Sequence, residues 1–211
     1  MSDVHLLPDE VPLGTAVQDS LAATLASRIC HDLTSPLGAI ANGVELLTLS
    51  GAARSPEMDL IAESVESANA RIRFFRLAYG SAGQDRVSRA EVIRTLEALA
   101  RGGRQIYEWD VEGDHPRIEV KAVFLLLQCV ETALPMGGRL RVGQQDSSWI
   151  VSAEGPRLRT GLPAWGVLET TEAARAEGSA VVQFVLLAGV LGSLGRSLAL
   201  SETPGRIEAR F

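Results

Sequence analysis

Cysteine is scarce in this 211-residue chain: Cys30 and Cys129 lie in separate apolar segments, at no metal-ligand or redox spacing. That excludes a zinc site or a paired-thiol redox centre and makes a reducing cytoplasm the simplest home. An excess of basic charge is also lacking, since 20 Lys+Arg face 26 Asp+Glu for a net charge of −6. Sequence-independent nucleic-acid binding, which needs clustered cations against phosphates, is thereby disfavoured. No run is long enough to cross a bilayer. The longest apolar stretch, Val181–Leu194, spans 14 residues and contains Gln183, short of the ~20 required. Met1–Glu10 is acidic and has no basic stretch followed by an apolar one, so no export signal is read there. Internal repeats and low-complexity tracts are absent as well. The expectation is a cytoplasmic protein with no direct nucleic-acid partner and no membrane insertion. Hydrophobic residues at 46% against 22% charged supply ample core and exclude intrinsic disorder.

The chain divides into three parts. Residues 1–14 carry Pro8, Pro12 and Gly14 and read as an irregular arm. Residues 15–83 read as a helical hairpin. Ala26, Cys30, Leu33, Leu37, Ile40, Val44 and Leu47 step by alternating fours and threes, a heptad seam on a helix from Thr15 to Ser50. Gly51 stops it, and Ser55-Pro56 starts a second helix as cap and first turn. That helix repeats the spacing at Ile61, Val65, Ala68, Ile72, Phe75 and Tyr79, and ends near Gly80. A short connection makes the arms antiparallel. Two helices alone cannot enclose such a seam, so a second copy is expected, giving a homodimer around a four-helix bundle; the alternative is packing on the chain's own second domain.

Residues 84–211 have a different texture. Ser88–Ala100 and Ile118–Leu134 read as helices and Gln105–Val111 as a strand, with a turn at Gly113-Asp114-His115-Pro116. Arg139–Gln144 and Trp149–Ala153 form a strand hairpin across Gln145–Ser148. A long apolar helix, Ala176–Leu194, precedes strands Ser197–Ser201 and Ile207–Phe211 around Pro204-Gly205. The fold class is therefore α+β: an antiparallel hairpin forming a dimeric bundle, then an α/β sandwich with one sheet covered by helices.

Of three histidines, His5 in the arm and His115 in the turn read as solvated loop residues. His31 follows the seam residue Cys30 by one position, about 100° around the helix from the core. Its imidazole is therefore exposed yet carried on a rigid element. Around it on the same side stand Ser27, Arg28, Thr34, Ser35, Gly38 and Asn42, mostly small. Gly38 costs about 1 kcal/mol of helix stability relative to alanine, and a flat shoulder around a nucleophilic ring lets another protein's active site approach. Pro36 removes a backbone donor and frees the Asp32 carbonyl, so a local kink is expected. Asp32, next to the histidine, is a candidate orienting or polarising group, although consecutive helix positions do not face each other. Arg28 is placed to steer an acidic partner or to touch phosphate, while Arg71, Arg73 and Arg76 on the second helix read as ordinary surface charge.

The run Cys30-His31-Asp32-Leu33-Thr34-Ser35-Pro36-Leu37 resembles the phosphoacceptor box of dimeric histidine kinases. Its extension, Gly38-Ala39-Ile40-Ala41-Asn42-Gly43-Val44-Glu45-Leu46-Leu47, resembles the ChpT-type histidine phosphotransferases of alphaproteobacteria. That resemblance implies a phosphorylatable His31 and a second domain resembling a histidine-kinase ATP-binding domain that has lost nucleotide. The residues agree. Thr132 stands where the metal-binding Asn would fall, Ala153 where the adenine-reading Asp would fall, and Glu177-Gly178-Ser179-Ala180-Val181 keeps one glycine where a phosphate-cradling loop needs two. The resemblance therefore implies a phosphotransferase without ATP or any other bound cofactor. The receiver domain of a hybrid histidine kinase would supply the phosphoryl group, His31 would hold it, and a response-regulator receiver would accept it, with Mg²⁺ coming from the receiver. An autophosphorylating kinase with an atypical ATP site and a non-catalytic kinase-docking protein are the competing readings.

Overall fold

The computed structural model describes residues 15–50, 55–101, 103–168 and 181–211. The expected arm at 1–14, the stop at Gly51, the single-glycine loop at 177–180 and the start of the long apolar helix at Ala176 lie outside the described residues.

Two apolar edges on each helix decide how the hairpin packs. Helix α1 (Thr15–Leu49) runs unbroken through Pro36. Helix α2 (Pro56–Ala78) starts where Ser55, in extended conformation, accepts a hydrogen bond from the Met58 amide at 3.4 Å. Pro56 at the first turn needs no donor, and Glu57 and Asp59 sit at the positive end of the helix dipole. The α1 seam is split. Cys30 is buried while Leu37 and Val44 are half-buried, with Val44 opposite Val65 of α2. Leu33, Ile40 and Leu47 keep 48, 47 and 52% of their surface in solvent. A seven-residue repeat on a 3.6-residue helix is wide enough to serve two neighbours, and one chain supplies only one of them.

Helix α2 departs from the sequence expectation. Only Val65 of the predicted stripe is buried, Ile61 is exposed, and the most buried α2 residues are Ala70, Phe74, Leu77 and Ala78 on the opposite side. The reason is that α2 lies between α1 and the second domain. Phe74, Leu77 and Ala78 join that domain's core, with Phe74 against Phe124 at 4.9 Å between ring centroids. Packing of the hairpin on its own second domain thus holds for the lower half of α2.

The second domain is a five-stranded sheet in the order β2-β4-β5-β7-β6. Its strands are β2 (Gln105–Trp109), β4 (Gly138–Gln145), β5 (Ser148–Glu154), β6 (Ala199–Thr203) and β7 (Arg206–Arg210). β2 runs parallel to β4, and the other pairs are antiparallel. Asp146 and Ser147, at φ 48° and 68°, form the two-residue turn between β4 and β5. Helices α3 (Arg89–Arg101), α4 (Arg117–Glu131) and α5 (Val182–Leu194) accompany the sheet. Every residue of α4 from Val120 to Leu127 is buried, as expected of a helix with the sheet on one side and α2 and α5 on the others.

A two-residue strand β1 (Arg86–Val87) pairs with β3 (His115–Pro116). This corrects the reading of His115 as a solvated loop residue. Its ring packs edge-on against Trp149 at 4.8 Å, and Nε2 lies 2.9 Å from the Glu112 carbonyl. Pairing with β1 pulls the turn onto the sheet.

Candidate functional site

His31 lies on the middle of α1 with 82% of its side chain in solvent, held by the buried Cys30 immediately before it. Its Nδ1 is 3.2 Å from Asp32 Oδ1. Neighbouring helix positions diverge by about 100°, yet a short carboxylate curling along the helix surface reaches the ring. The other carboxylate oxygen, Oδ2, accepts from Arg28 Nε at 2.8 Å, one turn earlier. Arg28, Asp32 and His31 thus form one chain of contacts. Arg28, the residue expected to steer an acidic partner or to touch phosphate, is paired with Asp32 and remains 73% exposed. The His31 contact first, and then Arg28, hold the Asp32 carboxyl below the usual carboxylate range.

An ionised carboxylate only accepts hydrogen bonds. Nδ1 therefore carries the proton in the neutral ring, and the lone pair lies on Nε2 of a side chain that is 82% exposed. A ring nitrogen with a free lone pair is chemically able to act as a nucleophile.

An open groove beside the ring separates α1 from α2. It is lined from α1 by Ser27, Cys30, His31, Thr34, Ser35 and Gly38, and from α2 by Asn69, Ile72, Arg73 and Arg76. Thr34 donates its hydroxyl to the Cys30 carbonyl one turn earlier at 2.7 Å. A methyl group at Gly38 would meet nothing within 4 Å, so the shoulder is open as expected. Asn42 is exposed one turn further on and does not line the groove. Sequence reasoning gave Asn69 no role and left Arg73 and Arg76 as plain surface. Antiparallel register was the available signal, since counting equal distances from the turn sets position 31 beside roughly positions 73–76. Arg71 faces elsewhere: it acts electrostatically on the Tyr107–Glu131 pair, whose hydroxyl–carboxylate distance is 2.7 Å.

Where the second domain would read a nucleotide, the described residues are engaged with one another. Thr132 donates its hydroxyl to the Cys129 carbonyl at 2.6 Å. Ala153 is buried between Leu140 and Ile207 in the sheet. Leu134 fills the corner beyond: a Cβ on Gly155 would come within 2.7 Å of its Cδ2 and 2.8 Å of the Gly137 carbonyl. The following loop is tied to the end of α4 by the Arg159 amide on the Ala133 carbonyl at 2.9 Å. Among the described residues no group of three or more His, Cys, Asp or Glu is placed to hold a metal ion, and no helix is long and apolar enough to cross a membrane.

Residues 89–206 match the family model of the histidine phosphotransferase C-terminal domain, and the chain belongs to the histidine phosphotransferase family. Within it, the chain is 35% identical over 148 residues to the protein phosphotransferase ChpT of Brucella abortus (strain 2308), covering 66% of this chain and 69% of that protein. The fold is similar to that of a bacterial phosphotransferase solved at 1.7 Å, with a TM-score of 0.64 and 26% identity over 95% of this chain and 99% of the other. A fainter likeness, with a TM-score of 0.43 and 15% identity, covers 83% of this chain and 93% of the histidine kinase domain of the Erythrobacter litoralis EL346 blue-light activated histidine kinase.

Proposed function

We propose that the protein is a phosphoryl carrier of a cytoplasmic phosphorelay, with His31 as the residue that bears the phosphate. The observation that carries this reading is the exposed imidazole with Nδ1 held by an arginine-anchored carboxylate. The donor is the aspartyl phosphate of the receiver domain of a hybrid histidine kinase. Nε2 attacks phosphorus, the P–O bond to the donor carboxylate breaks with the electron pair leaving on oxygen, and the Nε2–P bond forms. The Nδ1 proton stays hydrogen-bonded to Asp32 throughout. The reverse step onto the aspartate of a response-regulator receiver completes the relay. Placement in line and neutralisation of charge lower the barrier, the receiver's Mg²⁺ supplying much of the second. Ser27, Ser35 and Gly38 give the receiver a low surface to settle on, with Thr34 and Asn42 at its edge.

Two further parts belong to this reading. The exposed Leu33, Ile40 and Leu47 on α1, with Leu60 and Ile61 on α2, support a homodimer closed around a four-helix bundle. The second domain takes no nucleotide. Supporting this are the apolar Ala153, the internally bonded Thr132 and the Leu134 plug, and its role is then to extend the docking surface toward the usual ~1,200–2,000 Å² of a specific interface.

The test is a relay with purified components. Wild type mixed with a phosphorylated receiver should acquire label and pass it to a second receiver, whereas His31→Ala should do neither. Label acquired from ATP alone would instead make the protein an autokinase. Retained pathway output in cells carrying His31→Ala would make it a docking protein.

A further inference from the structure

Three arginines surround His31, and two are already engaged. Arg28 binds Asp32 at 2.8 Å, and Arg76 reaches across to Glu91 of α3 at 3.4 Å. Arg73 lines the same groove as the imidazole, and among the described residues it has neither a carboxylate within ion-pairing distance nor a hydrogen-bond partner. Glu63 and Glu66 share a second groove with it, between α2 and α3, without pairing to it. A guanidinium without a partner, on a rigid helix and facing a groove that also holds the nucleophile, offers a planar fork of donors to an oxyanion.

From this geometry we infer that Arg73 contacts the phosphoryl group borne by His31, crossing the groove from α2 to neutralise charge on the equatorial oxygens during transfer. Arriving phosphate adds up to two negative charges to a groove whose described lining residues include no carboxylate and two arginines, Arg73 and Arg76. Of the three hydroxyls among those residues, that of Thr34 is occupied by the Cys30 carbonyl, and those of Ser27 and Ser35 carry no charge to set against the phosphate. The division of labour is thus Asp32 on Nδ1, Arg28 on Asp32, Arg73 on phosphorus-bound oxygen, and Arg76 on α3. Loss of Arg73 removes stabilisation that is greatest when charge is spread over the oxygens in the transition state, so it acts on turnover more than on docking. This inference rests on His31 being the phosphate-bearing residue.

Phosphoramidate separates the two claims, because it phosphorylates imidazole directly, forming the N–P bond as ammonia leaves. Peptide mapping of wild type should place label at position 31; a relay that still runs from a phosphorylated receiver with no label there would overturn the carrier reading itself. With His31 labelled, Arg73→Ala should lower kcat for transfer to a receiver by roughly 10–100-fold, less than the 10²–10³ of an enclosed donor because the groove is open. KM should change little, and Arg73→Lys should restore part of the rate. A phosphorus-31 NMR titration of the labelled protein should show the phosphoryl group of Arg73→Ala passing from dianion to monoanion at higher pH than in wild type. Arg71→Ala, outside the groove, should match wild type in both measurements. If Arg73→Ala keeps the wild-type kcat, or if its phosphorus titration is unshifted, Arg73 does not touch the phosphate.

Discussion

Leu47 on the hairpin leaves half its surface in solvent, whereas Leu125 on α4 leaves none. The contrast runs through both regions. Above the junction, α1 and α2 present leucines and isoleucines outward; below it, Phe74, Phe124, Trp149, Phe184 and Leu187 close into a single core with Leu77 and Ala78. The sheet domain shares one closed core with the lower end of α2, while the upper hairpin leaves a second apolar edge uncovered in the single chain. The candidate site shows the same division, with the exposed His31 ring on the open region and the Leu134-filled corner on the closed one.

Mutations sharpen that contrast. The largest effect should come from Phe124→Ala, which empties the joint core and should cost about 3–5 kcal/mol in a urea melt. Loss of less than 1 kcal/mol would mean that the hairpin and sheet domain are not packed as one body. Leu47→Ala should instead leave the sheet domain's melting unchanged and weaken self-association in sedimentation experiments. Gly155→Ala drives a methyl group into Leu134 and the Gly137 carbonyl and should destabilise by about 1–3 kcal/mol; a neutral result would show that the corner is not filled. Gly38→Ala meets open space and should raise helix stability by about 1 kcal/mol while slowing transfer, because the added methyl stands on the shoulder a receiver approaches.

The smallest effect is on pH dependence. Burial, the largest influence, pushes the Glu131 carboxyl above the usual carboxylate range, against the lowering effects of Tyr107 and Arg71. As pH rises, the unfolded chain therefore loses this proton first. Stability should decline from the ordinary carboxylate pKa up to the raised folded value and stay level above it. Glu131→Gln keeps an acceptor for the Tyr107 hydroxyl and should remove this decline. Identical slopes for the two proteins would rule out Glu131 as the source.

Much of this was legible in local sequence. Ser55-Pro56 marks a helix start by capping and ring geometry, and the Asp146-Ser147 turn is set by the two alternating strands beside it. His31 stands out because one residue past a heptad position must leave the core. What the sequence hid depends on contacts distant along the chain. The second apolar stripe of α2, through Phe74 and Leu77, is outshone by the regular stripe at 61–79 until α4 is known to lie against it. Asp32 reaches His31 by side-chain conformation rather than helix position. Arg73 and Arg76 gain meaning only across the hairpin, and His115 only when β1 pairs with β3.

Where α2 ends, Lys121 of α4, itself buried, gives its ammonium to the Gly80 carbonyl at 2.9 Å. Arg117 bonds the Ser81 carbonyl at 3.1 Å, and the Tyr79 hydroxyl bonds Gln128. A kinase has to carry its nucleotide to its histidine, and so its joint must swing. Here the joint between the end of α2 and α4 is fastened at several points. If a receiver docks at His31 as proposed, it would meet the sheet domain at a set angle, and partner choice would rest on a fixed bracket instead of a moving arm.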